Sequence, residues 1–539
     1  MEMHKKEPKA GNDALALQTS ERFRARTLIE LLTEAQASIN SEIAPELLDK
    51  EKQLKNQLNN RALDQLKLQQ TKHTDEEENQ IKKDIVDIKE ELQKLETLIR
   101  RSNPRYATII YPEPLSLQQI QQQVLDDKTI LLEYHLGDQR SFLWTVTSST
   151  LLSYELPPRV KIEELARRVY DLLTVRQTVS KEPLEKQLQR AIEADRHYWQ
   201  AAGELSNMLL GPIATILADK RLLIVGDGAL QYIPFAALPL PSKQNRLTDS
   251  KEIDRRPVIV EHEVINLPSA LTLAIIRSNR LEHKLMPKTI AILADPVFDA
   301  SDPRLRGNRD NAANRELDRQ KPLANRDSEM LFRSATESGI IDDSRLFPRL
   351  TFSRQEAIEI AALLDSSEYK QALDFEATRE LALSDELSKY RYIHFATHGL
   401  INSTNPELSG IVLSLVNETG EWQDGFFRLN DIYNLRLPAE VVVLSACRTA
   451  LGKEIKGEGL IGLTRGFMYA GAYRVIASLW KVDDRATAEL MKHFYQGMFG
   501  EKKLTPAAAL RSAQIELLSK ERWRSPFFWS AFILQGECY

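Results

Sequence analysis

The sequence predicts an α/β fold, a mostly parallel sheet flanked by helices, with an α-helical coiled-coil hairpin ahead of it. Three observations carry this expectation. From about residue 129 onward, short apolar runs rich in β-branched residues alternate with helical spacings, the pattern of strand–helix–strand units. Two of those runs, Arg391-Tyr-Ile-His-Phe-Ala-Thr and Glu440-Val-Val-Val-Leu-Ser-Ala, lead straight into His398-Gly399 and Cys447. Before them, residues 46–101 hold no Gly or Pro and are dense in Gln, Lys, Glu and Leu, a composition for long helices.

Taken in order, residues 12–38 place Ala14, Leu15, Leu17, Leu28, Leu31 and Leu32 at helical spacing, one amphipathic helix that stops near Ile39-Asn40. In the segment after Pro45, Ile81, Ile85, Ile88, Leu92, Leu95 and Ile99 recur at steps of 4, 3, 4, 3 and 4, an a/d heptad seam. Leu47, Leu54, Leu58 and Leu66 form a looser seam, and Thr71-Lys-His-Thr-Asp75 is a polar turn between the two. An antiparallel hairpin of helices is expected.

Pro104 and Pro112-Glu-Pro114 close that hairpin. Thr129–Tyr134 and Arg140–Thr147 flank Gly137-Asp138, a β-hairpin signal. Helical patterns then run to about residue 218. Arg221–Val225 before Gly226-Asp-Gly228, and Lys288–Ala294 before Asp295-Pro296, read as strands entering turns. Residues 299–346 are polar and carry arginines from Arg304 to Arg333, the composition of a flexible, solvated loop exposed to proteolysis. Helices are expected at 354–364 and 377–390, and further strands at Tyr473–Trp480 and Phe527–Leu534.

Net charge is −5, with 72 Lys and Arg against 77 Asp and Glu. Neither nucleic acid nor an anionic membrane is therefore expected as a partner. Cys447 and Cys538 are too few for a disulfide framework, and no apolar run follows the opening Met-Glu-Met-His-Lys-Lys. A reducing cytoplasm is expected.

Cys447 and His398 are 447 − 398 = 49 residues apart, so a fold must unite them. Ligands and chemistry gather at the carboxyl ends of parallel strands. A thiol of ordinary pKa about 8.5 becomes a nucleophile when an imidazole takes its proton. Gly399, lacking a side chain, lets a backbone N–H approach an oxyanion. His394, four residues before His398, shares its face in a regular strand, but no close ligand set completes a zinc site. No metal and no cofactor is expected. His493 reads as structural and Cys538 as inert. Gly457-x-Gly459-x-x-Gly462 matches a dinucleotide fingerprint only formally, because no strand precedes it, and it reads as a packing motif.

His-Phe-Ala-Thr-His398-Gly, Val-Val-Leu-Ser-Ala-Cys447-Arg-Thr-Ala, Gly-Glu-Gly-Leu-Ile-Gly-Leu, Ala-Gly-Ala-Tyr-Arg-Val-Ile-Ala-Ser-Leu-Trp-Lys-Val-Asp-Asp484 and Phe-Trp-Ser-Ala-Phe-Ile-Leu-Gln-Gly536 occur in that order. In this the chain resembles the CHAT proteases, caspase-like domains usually attached to tetratricopeptide repeats, and more distantly separase. The resemblance covers roughly residues 105–538, and Ser20–Leu32 resembles the helix that follows the repeats in longer members. It implies a caspase-like sheet, His398 as general base or imidazolium partner and Cys447 as nucleophile. It also implies an oxyanion site on the backbone of Gly399 and Cys447, with no third triad member. Asp484 falls where separase carries an acidic residue lining the pocket for a basic side chain; of Asp483 and Asp484, one caps the following helix and the other binds substrate.

The expected organisation is a helical segment and coiled-coil hairpin at 1–103, remnant of a repeat-linked region, and an N-terminal α/β, pseudo-caspase-like part at 104–298. The flexible loop at 299–346 and the catalytic part at 347–539 follow. The expected function is a cysteine endopeptidase that cuts protein substrates after a basic residue through a Cys447 thioester. The expected partners are that substrate and a regulatory protein bound by the N-terminal helices. The rival reading is a catalytically silent caspase-like scaffold or interaction module.

Overall fold

The computed structural model describes residues 3, 6–7, 10–34, 46–47, 50, 53–54, 57, 61, 75–102, 114–177, 183–241, 255–280, 286–305, 331, 335, 347–401, 409–449, 459–481 and 483–539. The chain divides into two compact units, Glu21–Pro114 and the combination of Met1–Ser20 with Leu115–Tyr539.

Helix α1 (Asn12–Glu34) begins in the larger unit, where Leu17 is fully buried and Ser20 Oγ donates to the buried Glu133 carboxylate at 2.7 Å. In the smaller unit, α2 (Asp75–Ser102) realises the second half of the heptad segment, with Leu92 and Leu95 buried. Leu54 is buried too, and the Arg61 guanidinium meets Asp84 at 3.2 Å, so residues before the expected polar turn lie beside residues after it. The turn at 71–74 lies outside the described residues. Among the described residues, no helix is long and apolar enough to cross a membrane.

The larger unit is built on one sheet. Its strands are β1 (Thr129–His135), β2 (Ser141–Val146), β3 (Leu151–Leu156), β4 (Arg221–Val225), β5 (Val264–Asn266), β6 (Lys288–Pro296) and β7 (Tyr369–Asp374), then β8 (Tyr390–Ile401), β9 (Gly410–Val412), β10 (Phe426–Arg428), β11 (Val441–Thr449), β12 (Arg474–Ser478) and β13 (Phe532–Gly536). Their order is β10-β9-β8-β11-β12-β13-β5-β4-β1-β2-β3, with β6 beside β8 and β7 outside β6. Pairings among β1-β4-β5-β13 and among β7-β6-β8-β11-β12 are parallel. The β1-β2-β3 and β8-β9-β10 ends and the β12–β13 pair are antiparallel. The fold is thus the expected mostly parallel sheet with flanking helices. The β13–β5 pairing joins β1–β5 to the strands from β6 onward in a single sheet, and β6 itself pairs with β7 and β8.

The flanking helices are α3 (Arg159–Thr174), α4 (Leu184–Leu209), α5 (Ala270–Arg280), α6 (Thr351–Ala361), α7 (Gly459–Ala470), α8 (Asp484–Phe499) and α9 (Pro506–Ser519). Strand alternation sorts β8 between two of them. Tyr392 and His394 meet Phe499 and Tyr495 of α8, with rings 5.3 and 5.6 Å apart, whereas Phe395 meets Phe467 of α7 at 5.8 Å. Both faces of β8 are therefore buried, which is why its sequence reads as a nearly continuous apolar run. On β12, the following Trp480 is fully buried, donates to Phe527 O at 3.0 Å and meets Tyr170 of α3 edge-on at 6.0 Å.

Two expected elements differ. In place of a helix over 377–390 there is a short helix, Arg379–Leu383, then a 3-10 turn, Leu387–Lys389. Ser384, bonded back to Leu381 O through both its N–H and its hydroxyl, stops the first. The aromatic run from Phe527 begins as a helical turn, Pro526–Trp529, and the strand starts only at Phe532; Pro at a first helical position favours that turn.

Gly536 closes β13 at φ +111°, and a Cβ there would lie 2.3 Å from O of Tyr473, the residue just ahead of β12. Gly420 has a positive φ of +84° but only ordinary contact at 3.7 Å, with Leu305. Gly420→Ala is expected to cost about 1 kcal/mol from backbone strain alone. Gly536→Ala is expected to cost clearly more, since strand pairing must also give way. Urea unfolding midpoints of the two variants compare them; equal loss would show that the β12–β13 approach is soft.

Candidate active site

β8 and β11 run side by side and parallel, so their carboxyl ends leave the sheet together. The register pairs Val443 with His394 and Ser445 with Ala396, then Cys447 with Gly399. The offset drops from 49 to 48 (445 − 396 against 447 − 399), so Thr397 and His398 together face the single residue Ala446. This is a β-bulge in β8, the device by which strands re-aim a side chain beside a site. Pairing continues to Leu400–Arg448 and Ile401–Thr449, so His398 and Cys447 lie inside the last stretch of the ladder rather than at its final residues. At the bulge β8 also changes neighbour, from β6 up to Ala396 to β9 from Gly399. Thr397 Oγ1 donates to Val412 O at 2.6 Å and fastens that change.

The bulge removes the face that His394 and His398 were expected to share. His394, fully buried, keeps the α8 side. Its Nδ1 lies 2.9 Å from Tyr495 Oη and its Nε2 2.8 Å from Glu356 Oε1 of α6, off the line of a hydrogen bond. Burial, helped by the Glu356 charge, pushes the Tyr495 phenol far above its ordinary pKa, so it stays protonated. Glu356 also accepts the Ser445 hydroxyl at 2.8 Å, two residues before Cys447.

His398 is 4% exposed and faces other partners. Its ring lies 5.2 Å from Phe298 and 5.8 Å from Phe347, and Nε2 is 2.7 Å from Pro348 O. A carbonyl only accepts, so Nε2 carries the hydrogen, and in the neutral ring Nδ1 is the acceptor. Phe298, Phe347, Leu400, Val412 and Phe426 share one apolar cluster behind the imidazole. The backbone of Cys447 is placed by its pairing with Gly399; its side chain lies outside the described residues.

The two adjacent aspartates differ in their surroundings. Asp483 caps α8, its Oδ1 accepting the N–H groups of Arg485 and Ala486, both at 3.1 Å. Asp484 is half-buried. Burial holds its carboxyl above the ordinary aspartate value against the pull of Lys481, and the charges of Asp483 and Glu356 add to the rise. The Asp484 carboxyl thus stands within electrostatic reach of Glu356, which also meets His394 on β8 and Ser445 on β11.

His493 is held by Glu489 at 3.3 Å and Lys520 at 3.0 Å on α8's outer side. Cys538 is buried, and burial beside Glu537 pushes its thiol up to about 11. Both match their expected structural parts. Arg304, read as part of an open loop, is instead only 14% exposed and bonded to Asp302 and Asp374 at 2.7 and 2.6 Å. The other arginines of that stretch through Arg333 lie outside the described residues.

Pro348 O, Phe298, Phe347 and Glu356 were not found from the sequence. A backbone acceptor has no residue signature, and Pro348 follows a polar stretch without periodicity. Asp295-Pro296 was visible as a turn after an apolar run, the one available hint that β6 ends in something built.

Over 106 residues the chain is 34% identical to Tetratricopeptide repeat protein 28 of Homo sapiens and, equally, of Mus musculus. That match covers 20% of this chain and 4% of either protein, so the chain spans a small fraction of the curated relatives it matches. Among solved structures, the Saccharomyces cerevisiae separase–securin complex is similar at 11% identity and TM-score 0.43, over 81% of this chain and 31% of that one. The Porphyromonas gingivalis RgpB pro- and mature-domain complex is similar at 11% identity and TM-score 0.33, over 71% and 77%. Residues 200–537, well over half of the sequence, match the CHAT domain, and the chain belongs to the CHAT domain family.

Proposed function

We propose that the protein is a cysteine endopeptidase with Cys447 as nucleophile and His398 as acid and base. The observation that carries this reading is the pairing of Gly399 with Cys447 beside an imidazole whose Nε2–H is committed to Pro348 O. With that nitrogen occupied, Nδ1 is the group that takes the thiol proton. The thiolate attacks the peptide carbonyl carbon, and the oxyanion is met by the backbone N–H groups of Gly399 and Cys447. Nδ1–H then protonates the leaving amine as the C–N bond breaks and the Cys447 thioester remains. Water, giving its proton to Nδ1, releases the acid and the thiol. The Pro348 carbonyl stabilises the imidazolium present between these steps.

Asp484 is the residue proposed to receive the side chain before the cut. Asp483 is committed to its helix, and among the described residues Asp484 has no ion-pair partner. A half-buried carboxylate without a partner selects a cation and disfavours an apolar group. The substrate class is therefore a protein segment with Arg or Lys at that position.

Cys447→Ala and His398→Ala are each expected to lower peptide cleavage by at least about a thousandfold while melting near the wild type. Cys538→Ala is expected to change nothing. Labelling with a thiol-reactive peptide electrophile and cleavage of a peptide library read both; a Cys447→Ala protein that still cuts the same bond sinks the dyad.

Asp484→Asn is expected to erase the preference for Arg and Lys and, unusually for a binding-site change, to stabilise the fold at neutral pH. The sign follows from the raised carboxyl: the fold disfavours the ionised form, so stability is lost as pH rises from the unfolded value near 3.8 through the folded one. Asparagine escapes that loss. Melting temperatures at pH 7 and pH 3 check it, since the gain should be present at the first and absent at the second. A library cut after Asp or large apolar residues contradicts the pocket assignment.

A further inference from the structure

We propose that Asp295 is a positioning residue for His398, acting through Arg349 and the Pro348 carbonyl; this rests on the reading of His398 as the acid and base. Asp295 ends the regular part of β6. The β6–β7 register passes from Ala294–Leu373 to Pro296–Asp374 and leaves Asp295 unpaired, in a second bulge, at φ +47°. A non-glycine residue keeps that conformation only where its surroundings fix it. Here they do. The Asp295 side chain is 0% exposed, and Arg349 grips both oxygens, Nε to Oδ1 at 2.8 Å and Nη2 to Oδ2 at 2.6 Å. Arg354 Nε reaches Oδ2 at 2.8 Å and Arg304 Nη1 reaches it at 3.2 Å.

What this pair joins is specific. Three residues after Asp295 comes Phe298, and directly before Arg349 come Phe347 and Pro348. Those two segments supply both aromatic walls of His398 and its hydrogen-bond acceptor. Phe298 and Phe347 also touch each other, 5.6 Å apart. A two-point guanidinium–carboxylate fork fixes angle as well as distance. The ring's tautomer is set by the partner of its far nitrogen, so loosening the fork frees the Pro348 carbonyl and lets the imidazole exchange tautomers.

Asp295→Asn and Arg349→Lys test this, with Asp374→Asn as the control. Asp374 belongs to the same ion cluster through Arg354 and Arg304 and makes no bond to Arg349. Two readouts are needed beside thermal melting. One is the ¹⁵N spectrum of the His398 ring, assigned by its loss in His398→Gln. The other is the pH profile of Cys447 alkylation by iodoacetamide in a Cys538→Ala background.

The wild type is expected to show the Nε2–H tautomer. Asp295→Asn and Arg349→Lys are expected to show a mixture, with neutral-pH alkylation slowed by roughly tenfold or more. Asp374→Asn should melt lower yet keep the wild-type ring spectrum and alkylation profile. A folded Asp295→Asn or Arg349→Lys protein with an unchanged ring spectrum overturns the proposal, as does an equal change in Asp374→Asn. If Asp295→Asn does not fold, Arg349→Lys, which keeps the charge and loses the fork, decides. The protease reading fails separately: if wild type and Cys447→Ala cleave alike, that reading is gone, while the ring spectrum still reports on Asp295.

Discussion

A carboxylate shut away from water has to be met by compensating charge, and the end of this sheet that carries His398 is arranged around that requirement at Asp295. Three aspartates, Asp295, Asp302 and Asp374, face three guanidiniums, Arg304, Arg349 and Arg354. Among the described residues the charges of this cluster balance. Arg304 holds the Asp302 carboxyl below the ordinary aspartate range. For Asp374, burial opposes ionisation but the bonds from Arg354 and Arg304 outweigh it, and the result is again a lowered value. Such clusters add little net stability over a well-packed apolar equivalent, yet removing one member costs about 3–5 kcal/mol because a charge is then stranded. Their value is directional: they fix where the end of β6, the end of β7 and the start of α6 lie with respect to one another.

That fixed frame explains why two strands bulge side by side. β6 carries its extra residue at Asp295 and β8 carries its own at Thr397–His398, just past the last β6–β8 pair, Ala294–Ala396. A flat ladder would have continued the alternation and aimed His398 where His394 points. With the bulge, His398 turns toward Phe298 and Phe347 and leaves His394 in the core with Tyr495 and Glu356. Helix α6 and the residues leading into it serve three strands, β8, β6 and β11. Its approach presents Pro348 O to His398, Arg354 holds Asp295, and Glu356 takes the Ser445 hydroxyl on β11.

The parts of this arrangement legible in the sequence are those written in periodicity. β8 and β11 are apolar on both faces, so their runs stand out; their adjacency is less legible, because β9, β10 and one short helix, Leu429–Tyr433, lie between them in the chain. β5, β9 and β10 are three residues each, too short for any alternation to register. A bulge shifts one residue and alters no composition, so the expected shared face of His394 and His398 had nothing in the sequence to contradict it. Pro526–Trp529 shows the opposite failure: aromatic residues favour strands, and that tendency masked a proline placed to start a helical turn.

Asp483 and Asp484 mark where reading residues one at a time stops. Adjacent and chemically identical, they are told apart only by the helix that begins between them. The first stands outside α8 in extended conformation, where its side chain reaches back to the exposed N–H groups of Arg485 and Ala486. The second is already helical and is carried by that geometry into the half-buried space near Glu356. Capping satisfies one carboxylate with backbone donors and so removes it from competition for a cation. The other is left half-buried with its carboxyl raised, and it is on that difference that the proposed choice between the two as a site for a basic side chain rests.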